Sequence, residues 1–342
     1  MTTTNKPKNL IRIAIAASRG IGDGLITLVL ANNLVRNNFD ITVFSNPLAQ
    51  LNHWFPTINI LPYPNPMELN ATFEKFDLIM SDAYSELTKN FPRATKQFVI
   101  FCMTHFDDIL VEDQSEQLTQ RIQDKEKLKK LLPIAQSTGT VINRLDHDAP
   151  MIDRMAIFCR AILKLENVTR DNGMTPLNHL TYKKHPKRII IHPTSSNSVK
   201  NWPPYKFIAL AKKLKNIGFE PAFTVSPAEY ETWKQLTHDE FLLPSFPNLS
   251  DLAKYIYESG FLIGTDSGLG HIASNLGIST VTICRTGNKH FRWRPAWAPG
   301  KVVKTRYKLR FACKQHWHWL ISVNQVFKAF RRLESRSVIQ EQ

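Results

Sequence analysis

Apolar residues fall along this chain in short runs set apart by polar joints rich in glycine and proline, and the runs alternate between strand and helix character. Ile11–Ala17 (IRIAIAA) has the length and β-branched content of a strand, and Leu25–Val35 continues as an apolar helix. Ile41–Phe44, Asp77–Met80 and Phe98–Cys102 predict three further strands, with a helix over Gln117–Leu132 and an amphipathic one over Met151–Leu165. A stretch rich in Asn, Thr, Pro and Lys, from Glu166 to Lys187, reads as a linker. The alternation then restarts. Strands are predicted at Arg188–His192, Pro221–Val225, Phe241–Leu243, Phe261–Ile263 and Thr280–Cys284. Helices are predicted at Tyr205–Asn216, Ala228–Leu236, Ser250–Glu258 and Leu269–Leu276. Two halves of alternating strand and helix predict an α/β protein with two domains and a cleft between them.

The joints that follow the strands carry the chemistry. Gly264-Thr-Asp-Ser-Gly268 leads into Leu269–Leu276, with Gly270 on that helix and Gly277 where a C-cap glycine belongs. Asp266 and Ser267 can cap the helix start, and the glycines remove side chains where something approaches the backbone. Free N–H groups and the positive end of the helix then suit an anion such as a phosphate. The competing reading is a plain turn whose glycines serve packing.

The loop Pro193–Pro203 offers three hydroxyls (Thr194, Ser195 and Ser196) and one ammonium (Lys200), a plausible diphosphate cradle. Near the N-terminus, Ser18–Gly24 follows the first strand. Its glycines fall as G-x-G-x-G and not as the dinucleotide fingerprint G-x-G-x-x-G, and the second strand ends in Ser45-Asn46 without a ribose-binding acid, so a nicotinamide cofactor is not expected. Asp23 is the carboxylate of this loop, either a proton acceptor at a strand edge or a helix cap.

Composition adds charge. The chain has 342 residues and a formal net charge of +15, which suits anionic partners such as nucleotide phosphates, phosphorylated lipids or an anionic membrane face. No compact nucleic-acid motif is present, so nucleic acid is not expected as a partner. No apolar run approaches the ~20 residues that span a bilayer. The N-terminal residues lack a signal peptide's order of segments, so the expected location is cytoplasmic.

Cys102, Cys159, Cys284 and Cys313 form no CxxC pair and read as reduced, buried thiols. Cys313, His316 and His318 are metal-capable but match no common zinc spacing, and no metal is expected. Asp146-His147-Asp148 resembles the paired aspartates that hold a metal in other sugar-transferring folds, but it lies in no strand-end context and reads as a solvated loop.

Four landmarks together resemble glycosyltransferase family 9, the ADP-heptose:lipopolysaccharide heptosyltransferases of GT-B fold. Gly20-Ile-Gly-Asp-Gly24 is similar to the family's N-terminal G-D motif, and Ile190-Ile-His-Pro-Thr-Ser-Ser196 with Lys200-Asn-Trp-Pro203 to its strand and K-x-W-P loop. Gly264-Thr-Asp-Ser-Gly-Leu-Gly-His-Ile-Ala273 resembles its V-D-T-G-L-S-H-L-A signature, and Ile321–Ala329 its closing helix.

The resemblance implies an α/β GT-B architecture of two Rossmann-like domains facing a central cleft. These are an acceptor-binding domain over 1–170, a nucleotide-sugar-binding domain over 171–320, and a C-terminal helix and tail over 321–342 that can pack back on the first. It implies that Asp23 is the general base, with Gly22 and Gly24 beside the acceptor, and that Lys200 with Thr194, Ser195 and Ser196 holds the donor diphosphate. Asp266, Ser267, Gly268, Leu269 and His271 would line the nucleotide-sugar site, and Glu229 would bind the ribose. The implied reaction is an inverting transfer of a heptose from ADP-heptose to a lipopolysaccharide core, with no metal or other cofactor, at the cytoplasmic face of the inner membrane. The alternatives are another nucleotide sugar, a protein acceptor, or a non-catalytic relative that only binds nucleotide or glycan. One departure stands out: the family's G-P-T-D-P-like turn is replaced by Arg285–Arg294. The segment Arg285–Trp297 therefore either grips a phosphorylated sugar or forms a basic membrane-facing edge.

Overall fold

The computed structural model describes residues 10–87, 98–103, 115–146, 148–285, 292–305 and 317–340. His147, Cys313, His316 and residues 286–291 of the basic segment lie outside the described residues. The chain divides into two compact units, Met1–Thr175 and Pro176–Gln342.

In the first unit, five parallel strands are β1 (Arg12–Ala16), β2 (Asp40–Phe44), β3 (Asn59–Leu61), β4 (Leu78–Asp82) and β5 (Phe98–Phe101). Their order is β3-β2-β1-β4-β5. The helices are α1 (Ile21–Arg36), α2 (Asn46–Ala49), α3 (Leu69–Phe73), α4 (Ser115–Arg121), α5 (Lys125–Ala135) and α6 (Met151–Ile157). Every residue of α1 from Gly24 to Leu34 is buried, which is why its sequence lacks the polar stripe of a surface helix.

Three expectations change here. The helix predicted over Gln117–Leu132 is two helices, because the Asp124 side chain accepts from the N–H groups of Glu126 and Lys127 and starts a new one. The helix over Met151–Leu165 gives way after Ile157 to a π-helical turn, Phe158–Ile162. The first part of the supposed linker is docked on α1. Buried Asn33 donates to Thr169 O at 2.8 Å and accepts from Thr169 N at 2.8 Å, and Asn172 Nδ2 donates to Leu25 O at 3.2 Å. Asparagines inside an apolar helix need such partners, and residues 166–173 supply them.

The second unit repeats the plan with β6 (His185–His192), β7 (Glu220–Phe223), β8 (Ser259–Thr265), β9 (Ser279–Cys284) and β10 (Gly300–Lys304), in the order β10-β9-β8-β6-β7 and all parallel. Its helices are α7 (Pro204–Lys215), α8 (Tyr230–Thr237), α9 (Leu249–Tyr257), α10 (Gly268–Asn275) and α11 (Val323–Gln340). Ile189, Ile191, Phe223, Ile263 and Ile283 of the sheet pack with Phe207, Leu210 and Leu214 of α7 and with Val326, Phe330 and Leu333 of α11. The 4-and-3 spacing on α11 lays those three side chains on one face. The predicted strand Phe241–Leu243 is only an isolated bridge from Leu242 to Ala222. The edge strands β3 and β10, half exposed and short, carry too weak an apolar signal to be predicted. The expected α/β class with two Rossmann-like units is met.

Candidate functional site

In the second sheet the chain leaves β6 toward β7 on one side and toward β8, β9 and β10 on the other, so the carboxyl ends of β6 and β8 flank the switch point where open parallel sheets hold ligands. Gly264 sits there because the strands come too close for a side chain: a Cβ would lie 2.6 Å from His192 O. The approaching backbone is thus that of the neighbouring strand. Gly264 and Thr265 belong to β8, and the turn expected over 264–268 shrinks to Asp266-Ser267.

The loops at this edge are knitted to each other. Thr265 Oγ1 donates to Thr194 O at 2.9 Å, and Thr194 Oγ1 donates to Glu229 Oε2 at 3.0 Å. The same carboxylate oxygen accepts from Ser226 N at 3.1 Å and Ser226 Oγ at 2.6 Å, a capping box at the start of the following helical turn. Ser195 Oγ lies 2.9 Å from both Asn197 O and Asn201 Oδ1, so its proton stays within the loop, and Ser196 is the exposed hydroxyl of the three. Lys200 Nζ reaches Asp266 Oδ2 at 3.1 Å. An ammonium has three donors, so this contact leaves Lys200 able to donate to a second anion.

Helix α10 begins beside that ion pair. Ser267 holds the cap position in extended conformation, but its hydroxyl makes no capping hydrogen bond, contrary to expectation, and is buried without a partner among the described residues. Among the described residues no capping side chain is thus seen at the first N–H groups of α10, where the helix dipole favours negative charge. Gly277 does take the left-handed conformation expected after this helix, with φ of 81°. Leu269 and His271 are buried on α10, and the His271 ring meets Trp297 edge-on at 6.2 Å. Burial pushes the His271 imidazole down to about 4, against the opposing pull of Asp266, so the ring is neutral near pH 7. His192 is held neutral too: burial lowers its pKa against the opposing effect of its Nδ1–H donating to Thr224 O at 2.7 Å.

In the first unit, α1 begins at Ile21 and not at Leu25, which corrects the expected loop: Gly22, Asp23 and Gly24 are helical. Gly20 is the N-cap, so Asp23 is a first-turn carboxylate and not the cap, half-buried where the macrodipole favours its charge. Gly24 is small for packing, since a Cβ would lie 2.8 Å from Leu48 Cδ1.

Two groups were missed in the sequence. Asp82 ends β4 next to β1, at the first sheet's own switch point. It is buried, accepts from Ser18 Oγ at 2.6 Å and Tyr84 N at 2.9 Å, and has its pKa raised by burial. It thereby anchors the segment that leads into Asp23. His192 is the other. Both close an apolar run at the carboxyl end of a strand, Ser81-Asp82 after Leu78–Met80 and His192 after Ile189–Ile191, which was the available signal.

Among the described residues no three His, Cys, Asp or Glu side chains cluster as a metal site. Asp146 Oδ1 accepts from Asp148 N at 2.9 Å, an Asx turn. The three described cysteines are buried thiols, and burial pushes Cys159 up. No described helix is long and apolar enough to cross a membrane.

Residues 164–313 match the family model described as Glycosyltransferase family 9 (heptosyltransferase). No curated protein sequence gives a significant match. Among solved structures, the E. coli heptosyltransferase WaaC with ADP matches with a TM-score of 0.64 at 14% identity, covering 94% of this chain and 99% of that one. The E. coli ADP-heptose lps heptosyltransferase II matches at 0.61 and 15%, covering 96% and 99%. A glycosyl transferase family 9 protein from Veillonella parvula DSM 2008 matches at 0.58 and 17%, covering 94% and 97%. At these identities the structures establish a shared fold.

Proposed function

We propose that this chain, whose residues 164–313 match the model of glycosyltransferase family 9, transfers a heptose from ADP-heptose to a lipopolysaccharide core acceptor, with inversion and in one displacement. The observation that carries the reading is the meeting of Lys200, Asp266 and the uncapped start of α10 at the switch point of the second sheet.

A departing nucleoside diphosphate gathers negative charge. A fixed ammonium and helix N–H groups stabilise that charge without reorganising. Asp266 holds Lys200 from one side, and among the described residues this is the ammonium's one ion pair, which leaves donors for a phosphate. Glu229 ties Thr194 to the capping turn at Ser226, and in this reading its carboxylate also meets the ribose. His271, neutral, packs under the donor and contributes no charge.

Asp23 takes the proton of the acceptor hydroxyl as the new C–O bond forms at the anomeric carbon and the bond to the diphosphate breaks. The electron pair of the broken bond leaves with the diphosphate. Neither step calls for a metal in this scheme. The net positive chain would work at the anionic cytoplasmic face of the inner membrane, held there by charge.

The test is turnover of ADP-heptose with a lipopolysaccharide core acceptor, beside binding of ADP by calorimetry. Asp23→Asn lowers kcat by at least about a hundredfold, within the usual range for a general base, and leaves ADP affinity within twofold. Full activity in that variant removes Asp23 from the reaction. Transfer from a UDP-, GDP- or CMP-sugar instead of ADP-heptose would redirect the donor assignment.

A further inference from the structure

The loop that carries Lys200 is held from outside the segment matched by the family model. Trp317 Nε1 donates to Val199 O at 3.0 Å, one residue before Lys200. Trp202 Nε1, on the other side of the loop, donates to Ile321 O at 3.2 Å. Each indole thus closes on a backbone carbonyl of the other's segment, and both rings are 1% exposed.

Between them lies Lys206, in the first turn of α7 and 8% exposed. Its ammonium donates to His318 O at 2.7 Å and Ile321 O at 3.0 Å, and it sits 5.6 Å from the Trp202 ring and 5.7 Å from the Trp319 ring. A buried cation at a helix N-terminus opposes both the dipole and desolvation, and burial lowers its pKa accordingly. Such a residue is tolerated only where carbonyls and aromatic faces converge on it. What it gains here is a fixed distance between residues 317–321 and the loop.

We propose that Trp317 is a positioning residue: by holding the Val199 carbonyl, it sets Lys200 for the diphosphate, with Lys206 and Trp202 locking the same joint. The inference rests on the phosphate role given to Lys200 above. It predicts that the ordering of Lys200 depends on a side chain more than a hundred residues downstream.

Trp317→Phe keeps an aromatic ring in the packing and removes the indole donor. Two readouts on the full chain separate the brace from the phosphate role. Amide hydrogen exchange at Lys200 and Asn201, whose N–H groups bond within the loop to Asn197 O and Ser198 O, rises about fivefold to tenfold in Trp317→Phe, the equivalent of one lost hydrogen bond. The Kd for inorganic pyrophosphate rises by a similar factor, about fivefold, and more in Lys200→Met. Unchanged exchange overturns the brace whatever the ligand does. Faster exchange with unchanged pyrophosphate affinity, while Lys200→Met weakens binding, overturns the positioning role. Unchanged affinity in Lys200→Met removes the phosphate reading, and the positioning claim falls with it. A melting temperature lowered with no selective change at 199–201 would show a merely structural tryptophan.

Discussion

Replacing Lys200 by methionine keeps the length and the apolar stem of the side chain and removes only its charge, which makes the structural and catalytic consequences separable. The structural one is small. The Lys200 side chain is 41% exposed and Asp266 18% exposed, so their ion pair at 3.1 Å is a screened surface contact. Such pairs contribute about 0.2–1 kcal/mol, and the half-buried Asp266 can recover water when its partner leaves. For a domain of this size that is a melting shift of at most about 4 °C. The catalytic consequence is large if Lys200 faces the leaving diphosphate: losing one preorganised electrostatic partner of a developing anion costs about 10²–10³ in rate, near 3–4 kcal/mol. The kinetic effect should therefore exceed the stability effect severalfold. The assay follows product diphosphate release at saturating donor and acceptor, beside a urea melt of the same preparation. Lys200→Arg should recover part of the rate, since it restores the charge but not the compact geometry. A kcat for Lys200→Met within threefold of wild type refutes the assignment. So does a rate loss that merely follows the fraction unfolded.

Two further outcomes concern a buried histidine and two close-packed glycines. The His271 imidazole titrates near 4 in the folded chain against about 6.5 unfolded. The unfolded state therefore binds the extra proton between those values, and stability is full above pH 6.5 and falls as pH drops toward 4, by on the order of 3 kcal/mol for this group. Urea midpoints measured across pH 4–7 should fall less steeply in His271→Gln, and parallel curves would contradict the shift. Glycine substitutions should separate by what they strike: Gly264→Ala puts a Cβ 2.6 Å from the His192 carbonyl in the middle of a sheet, whereas Gly24→Ala meets only the tip of Leu48 at 2.8 Å. The first should cost about 3 kcal/mol or more and much soluble yield, while the second stays within about 1 kcal/mol because the leucine rotates and the helix gains alanine. Equal midpoints for the two would refute the packing argument.

Legibility in the sequence followed burial. The buried parts of β1, β6 and β8 hold uninterrupted apolar runs (Ile13–Ala16, Ile189–Ile191 and Phe261–Ile263), and these strands were placed to within a few residues. Edge strands β3 and β10 were not read, because half-exposed backbone pairing leaves no apolar pattern. The start of α1 was placed four residues late, since its first turn contains two glycines, which resemble a loop when propensity alone is weighed. The docking of residues 166–173 was invisible for a different reason: polar residues that satisfy buried asparagines look no different from solvated ones.

The candidate site shows the same division at finer grain. Residue types at strand ends were legible as chemistry, and Lys200 and Asp266 were both singled out, but not their pairing 66 positions apart. Pairing depends on which strands become neighbours, and β6 and β8 adjoin across the switch point although β7 lies between them in sequence. The same holds for Ser18 and Asp82, 64 positions apart on β1's loop and β4. Lys200 with Asp266, and Ser18 with Asp82, thus come from the two strands on either side of a topological switch, whereas His192 and Thr194 bond to the segment after β7. A polar side chain there sits on the last rung of the ladder, where a core of aliphatic residues offers it no hydrogen bond. It must find its partner on the adjoining strand's loop or on a ligand. That is why the residues missed in the sequence, Asp82 and His192, occupy the same topological position as residues that were found, and why a search for polar residues closing apolar strands on either side of a switch would have recovered them.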